Sequence, residues 1–158
     1  MREIRRKEKN IDNQNEIKEI IQSTKYVTLA MTKANIPYLV TISHAYDYDN
    51  NCIYFHCASE GKKIDYLNEN NLVWGQAIHD LGYHEGECNH AFKTAQFKGK
   101  VKFIEKYDEK KKALTIMINQ LEDNPEKVIS KQLKESAIKR VRVGRIDIEY
   151  LSGKINQK

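Results

Sequence analysis

The run Ile53-Tyr54-Phe55-His56-Cys57-Ala58-Ser59-Glu60-Gly61-Lys62-Lys63 carries a strand-like segment through a small-residue turn into two lysines at the start of a helical stretch. A helix start offers unpaired N–H groups and the positive end of the helix dipole. A lysine placed there is mildly unfavourable unless an anion offsets it. The chemistry implied is the holding of a phosphate. The segment is not a nucleotide P-loop, because GxxxxGK[ST] requires a glycine five residues before Gly61, where His56 stands. Strand alternation puts Ile53, Phe55 and Cys57 on one face and Tyr54 and His56 on the other, so His56 looks away from the core toward whatever covers that side.

Two other arrangements are weaker. His84-Glu85-Gly86-Glu87-Cys88-Asn89-His90 gathers imidazoles, a thiol and carboxylates, and His44, His56 and His79 add to the count. Their spacing matches no common zinc site, and no metal is expected. There is no GxSxG motif, and Cys57 points away from its neighbour His56. An enzyme built on this chain would draw its chemistry from a cofactor.

The elements that must position these groups follow from periodicity. Asn13 and Glu16 suggest a capping box for a helix over 13–23, with Ile17, Ile20 and Ile21 at helical spacing. Two β-rich runs, 26–32 and 38–46, read as a hairpin joined through 33–37, and a turn at 47–51 leads to a strand at 52–57. A helix over 61–69 follows, then a strand at 72–78, a loop containing Gly75, Gly82 and Gly86, and a long strand at 92–105. Residues 108–121 carry an amphipathic helix, and Pro125 suits the start of another. In the closing strand the alternation of Val141 and Val143 gives way to Ile146, Ile148 and Tyr150, which predicts a β-bulge at Gly144. The sum is a mainly β domain over 13–158, a six- to seven-stranded antiparallel barrel with peripheral helices, preceded by a mobile charged leader at 1–12.

Composition narrows the function classes. A chain of 158 residues is long enough for one domain with its own core. Three scattered cysteines form no disulfide framework, which suits a reducing cytoplasm. No window approaches the roughly 18 apolar residues of a membrane span. The net charge of +5 is concentrated in Arg2–Lys9 and around Lys139–Arg145, while Glu and Lys interleave elsewhere. That distribution describes solvated helix faces better than a nucleic-acid track, and neither a nucleic acid nor a membrane is expected as partner.

Pro37-Tyr38-Leu39-Val40-Thr41-Ile42-Ser43-His44-Ala45-Tyr46-Asp47 followed by the 53–63 motif resembles the FMN-binding split barrel of the pyridoxamine-phosphate-oxidase-like superfamily, in its nitroimidazole-resistance-type branch. Asn68–Trp74, Cys88–Gly99 and Val143–Lys154 add to the likeness, which covers roughly residues 15–155. The resemblance implies a homodimer holding FMN in a groove between subunits. It implies Lys62 as the phosphate lysine with Lys63 beside it, Val40, Thr41, Ile42 and Ser43 as the strand bordering the flavin, Phe55 and His56 as the next strand's cofactor-facing pair, and Thr94 as a polar contact.

It also implies an FMN-dependent oxidoreductase reducing nitroaromatic- or quinone-like small molecules with a nicotinamide or other donor, with His56 donating a proton or orienting the substrate. The rival is a flavin protein that stores or passes electrons without a dedicated substrate, or one holding haem or a deazaflavin instead. Departures from the family pattern are Leu39 and Gly61, where relatives often carry arginine, Thr41 in place of a proline, and Lys93 in place of an arginine. The residues that bind substrate in the true pyridoxal-phosphate-forming oxidases are not matched, so that activity is not expected.

Overall fold

The computed structural model describes residues 4–157. A 3-10 turn at Lys7–Lys9 runs into β1 (Asn10–Ile11), then α1 (Gln14–Ser23), β2 (Tyr26–Lys33), β3 (Ile36–Ser43), β4 (Ala45–Asp47), β5 (Cys52–Cys57), α2 (Lys62–Glu69), β6 (Leu72–His84) and β7 (Asn89–Ile104). Three helices follow, α3 (Tyr107–Leu121), α4 (Pro125–Gln132) and α5 (Glu135–Arg140), before β8 (Arg142–Asn156). All neighbours in the sheet are antiparallel, in the order β3-β2-β6-β7-β8-β5-β4, with β1 on β8. This is the mainly β split barrel with peripheral helices.

Local chemistry sets each junction. The Asn13 side chain accepts from the Asn15 N–H at 2.9 Å and starts α1, whose Ile17, Ile20 and Ile21 are buried. The β2–β3 hairpin turns on two residues, Ala34 (φ 47) and Asn35 (φ 64), so it is tighter than the five-residue connection expected. Pro37 consequently lies inside β3, which it can do because β3 pairs only with β2 and a proline there forfeits no ladder bond on the outer edge. Asn124 accepts from the Lys127 N–H and Pro125 opens α4.

Two apolar clusters lie on opposite faces of β5 and β8. One fills the curl of the sheet and includes Val27, Leu29, Ile53, Phe55, Phe97 and Ile146, closed by α1 and α2. The other lies outside the curl, where α3 and α5 cover Ala45, Cys52, Tyr54 and Val143. Fully burying one such aliphatic or aromatic side chain is worth roughly 1.5–3 kcal/mol, so both faces of these strands are fixed by packing.

The structure differs from the sequence expectation at further places. Residues 4–12 are not a loose leader throughout, because Ile11 is buried and pairs with Gly153 of β8. There is no bulge at Gly144. Val143 serves the outer cluster while Gly144, Ile146 and Ile148 face the inner side, so the apparent change of phase marks a strand buried on both faces. The ladder irregularity in β8 lies at Glu149, which has no partner between Lys98↔Tyr150 and Gly99↔Ile148. Gly75 belongs to β6 rather than to a loop, and a Cβ there would stand 2.0 Å from the Phe97 ring. The strands number eight because the expected run 38–46 breaks at His44 and β1 adds a further short piece.

Candidate functional site

The turn after β5 brings three cations to one end of the curl. Gly61 takes φ +124 ahead of α2, a conformation open to glycine and costly for other residues, and no side chain caps the helix start. Lys62 stands with its Nζ 4.5 Å from the Tyr38 ring centroid and 5.8 Å from that of Tyr66, and these two rings pack at 5.1 Å. The Lys63 Nζ lies 5.4 Å from the Phe55 ring. Aromatic faces hold ammonium groups by cation–π attraction without neutralising them.

The third cation is Arg142, which nothing in the sequence marked. Its register opposite Cys57 sets it beside the β5–α2 turn, where Nη1 donates to the Ser59 carbonyl at 3.2 Å while the guanidinium lies 3.8 Å from the Phe103 ring centroid. Among the described residues no carboxylate pairs with Lys62, Lys63 or Arg142. Three unpaired cations around an uncapped helix start concentrate positive charge of the kind that suits an anion. Their field reaches Cys57: burial pushes its thiol up, and Lys63 and Arg142 pull against that without reversing it. The thiol therefore stays protonated at neutral pH and is no ready nucleophile.

β3 borders these cations through Tyr38, whose ring faces the Lys62 ammonium. As the terminal strand it leaves one row of backbone N–H and C=O groups unpaired, able to bond the polar edge of a flat ligand. Val40 is half-buried and Ile42 buried, both turned toward the inner cluster, whereas Thr41 and Ser43 turn outward and Thr41 bonds Thr28 at 3.0 Å. Phosphate and flat-ring recognition therefore fit the residues present: cations and a helix start at one end, an open backbone edge along the side.

The other sequence candidates fall elsewhere. Phe55 and His56 do not act as a pair, because they leave β5 on opposite faces. Phe55 is sealed in the inner cluster against Gly144, and His56 is exposed toward α3–α5. Thr94 lies on the outer sheet face opposite Ile78, its hydroxyl directed at the Lys154 carbonyl, two strands away from β5. The 84–90 segment is the β6–β7 turn. His90 bonds Asp80 at 2.8 Å there, and no group of His, Cys, Asp and Glu suited to a metal occurs among the described residues.

A neighbouring feature is the outer face of β2, β3 and β6, where Tyr26, Leu39, Leu72, Trp74 and Ile78 are all exposed. Leu39 and Trp74 flank Ala30 in register, while Tyr26 and Ile78 lie beyond the polar row of Thr41, Thr28 and Gln76.

A family model described as pyridoxamine 5'-phosphate oxidase matches residues 13–155. No curated protein matches the chain. Among solved structures, a candidate 5-nitroimidazole antibiotic resistance protein from Bacteroides thetaiotaomicron is 26% identical, covering 92% of this chain and 86% of its own, with a TM-score of 0.78. The flavocytochrome Anf3 from Azotobacter vinelandii is 16% identical over 99% of this chain and 73% of its own, with a TM-score of 0.80. A FAD-binding protein from Mesorhizobium loti is 20% identical over 92% and 96%, with a TM-score of 0.67. The last two likenesses are of fold.

Proposed function

The chain belongs to the pyridoxamine 5'-phosphate oxidase family, and on that premise we propose that it binds FMN and works as a flavin-dependent oxidoreductase on nitroaromatic- or quinone-like small molecules. The observation that carries the flavin reading is the convergence of Lys62, Lys63 and Arg142 on the uncapped start of α2. Three cations suit the terminal, doubly charged phosphate of FMN. The nitroaromatic part leans on the likeness to the candidate resistance protein. A bound flavin supplies hydride or single-electron transfer, which no side chain of this groove supplies.

The chain's own residues would then divide the work. Lys62, Lys63 and Arg142 hold the phosphate, and the open edge of β3 at Val40–Ser43 orients the ring. A second copy seated on the face of Leu39, Trp74 and Ile78 makes a homodimer that closes the groove against water, and Thr94 reaches the cofactor only if the partner's face brings it there. His56 leaves β5 on the face away from these cations and has no hydrogen-bond partner among the described residues, so it orients a substrate or carries a proton at a ring nitrogen only if the assembled dimer brings the flavin to that face.

A second reading, a flavin protein that passes electrons without a dedicated substrate, is favoured by the groove's lack of a working acid or base. Cys57 is held protonated and His56 leaves β5 on the other side. Two fold relatives are described as a flavocytochrome and as a FAD and haem binding protein, which keeps haem or FAD within this second reading.

The absorbance spectrum of purified protein tests the cofactor: a flavin band is expected, and a colourless protein that FMN cannot reconstitute overturns the proposal. Anaerobic bleaching by a nicotinamide donor, then reoxidation by a nitro compound faster than by buffer, supports the enzyme. Bleaching without acceptor-dependent reoxidation supports the carrier.

A further inference from the structure

Lys62 opens α2 with Asp65 one turn on, the i,i+3 spacing at which opposite charges pair on a helix face. No such bridge forms, and among the described residues no carboxylate pairs with Lys62. Its ammonium stands instead 4.5 Å from the Tyr38 ring centroid and 5.8 Å from that of Tyr66, and the two rings meet at 5.1 Å with 53° between their planes. Glu69, at the far end of α2, is engaged by the β2–β3 hairpin: its carboxylate accepts from the Ala34 N–H at 2.9 Å and lies 3.7 Å from the Lys33 ammonium.

The two rings are fixed from different elements. Tyr66 is buried on α2, while Tyr38 is half-buried on β3, opposite Met31 in register and packed against the inner cluster. A lysine side chain is long and loses rotamer freedom when anything holds it. Rings already set by packing take that loss at folding, and they leave the charge intact because cation–π attraction uses no carboxylate. The ammonium is therefore in place before an anion arrives, and such preorganisation raises affinity without a new contact to the ligand. We propose that Tyr38 is a positioning residue for the anion grip, its ring and that of Tyr66 holding Lys62 charged, unpaired and fixed for the cofactor phosphate. The proposal rests on the flavin reading and has Tyr38 act through Lys62, without touching the flavin ring.

The test titrates FMN, and riboflavin, which lacks the phosphate, into the full chain freed of bound flavin, followed by flavin fluorescence. Tyr38→Leu should weaken FMN about fivefold, the worth of one exposed cation–π contact, and leave riboflavin within about twofold of the parent. Tyr38→Phe keeps the ring face and should match the parent. In a Lys62→Ala chain, Tyr38→Leu should weaken FMN no further, because the group it acts through is gone. Should Tyr38→Leu melt early, 4-cyanophenylalanine in place of Tyr38 keeps the ring's shape while draining its face of electron density, and it should weaken FMN while sparing riboflavin. Equal loss of FMN and riboflavin would put Tyr38 against the flavin ring and overturn the proposal. So would full additivity with Lys62→Ala, or FMN affinity unchanged in both the leucine and the cyano proteins. A parent chain that binds neither flavin overturns the flavin reading itself, and the role of Tyr38 with it, before any variant is made.

Discussion

Arg142 bonds a carbonyl 83 residues earlier in the chain, and this single contact completes the basic groove that Gly61 leaves short of a side chain. Lys62 and Lys63 were legible because strand, glycine and lysine stand in one continuous run. Arg142 was not, because only the β5–β8 register brings it there, and no local pattern encodes a register. Replacing Lys62 or Arg142 by alanine should each weaken FMN binding by about 1.5–3 kcal/mol if the contacts are charge-assisted, measured by quenching of flavin fluorescence. An Arg142→Ala protein that binds as tightly as the parent would leave the helix start and its lysines as the whole grip. Gly61 stands where the resemblance would place an arginine. No atom lies within 4 Å of a Cβ built there, yet φ is +124, so Gly61→Ala should cost about 1–3 kcal/mol through backbone strain alone, read as a lower denaturant midpoint.

At the level of elements, β5 and β8 are packed on both faces, and this is where alternation misled. The change from Val143 to Ile146 looked like a bulge because a strand with one wet face was assumed, whereas α3 and α5 make the second face dry. The close approach at Gly144 follows. A Cβ there would stand 2.3 Å from the Phe55 ring, so Gly144→Ala should destabilise by about 1–3 kcal/mol, and Phe55→Leu in the same chain should recover part of that loss. The joint between β3 and β4 carries a different sensitivity. His44 is fully buried, with Nε2 2.9 Å from the Ile21 carbonyl and Nδ1 without a partner, and burial lowers its pKa despite that bond. The neutral ring is the folded form, so its contribution is complete above the unfolded histidine pKa of about 6.5 and is lost as pH falls toward the lowered folded value. The slope reaches at most about 1.4 kcal/mol per pH unit. Urea unfolding between pH 7.5 and 5.5 should show it, and His44→Gln, which cannot titrate, should flatten it.

Across the whole molecule, the order of strands was the least legible property. Hairpins announce themselves through turns, but nothing in the sequence says that the last strand lies between β7 and β5. The exposed residues of β2, β3 and β6 were likewise readable only once those strands were side by side. Leu39→Glu with Trp74→Glu should convert a dimer into a folded monomer by light scattering, and FMN affinity should drop with it if the groove closes between copies. The central place of β8 also reaches into biosynthesis. Until β8 is made, β3-β2-β6-β7 and the β4–β5 hairpin are two separate pieces that no ladder joins, and Arg142 has yet to reach Ser59. The sheet therefore closes only when residues 142–156 dock, so the pairing of β8 is long-range in sequence and, on the flavin reading, any cofactor grip that uses Arg142 forms no earlier than that docking.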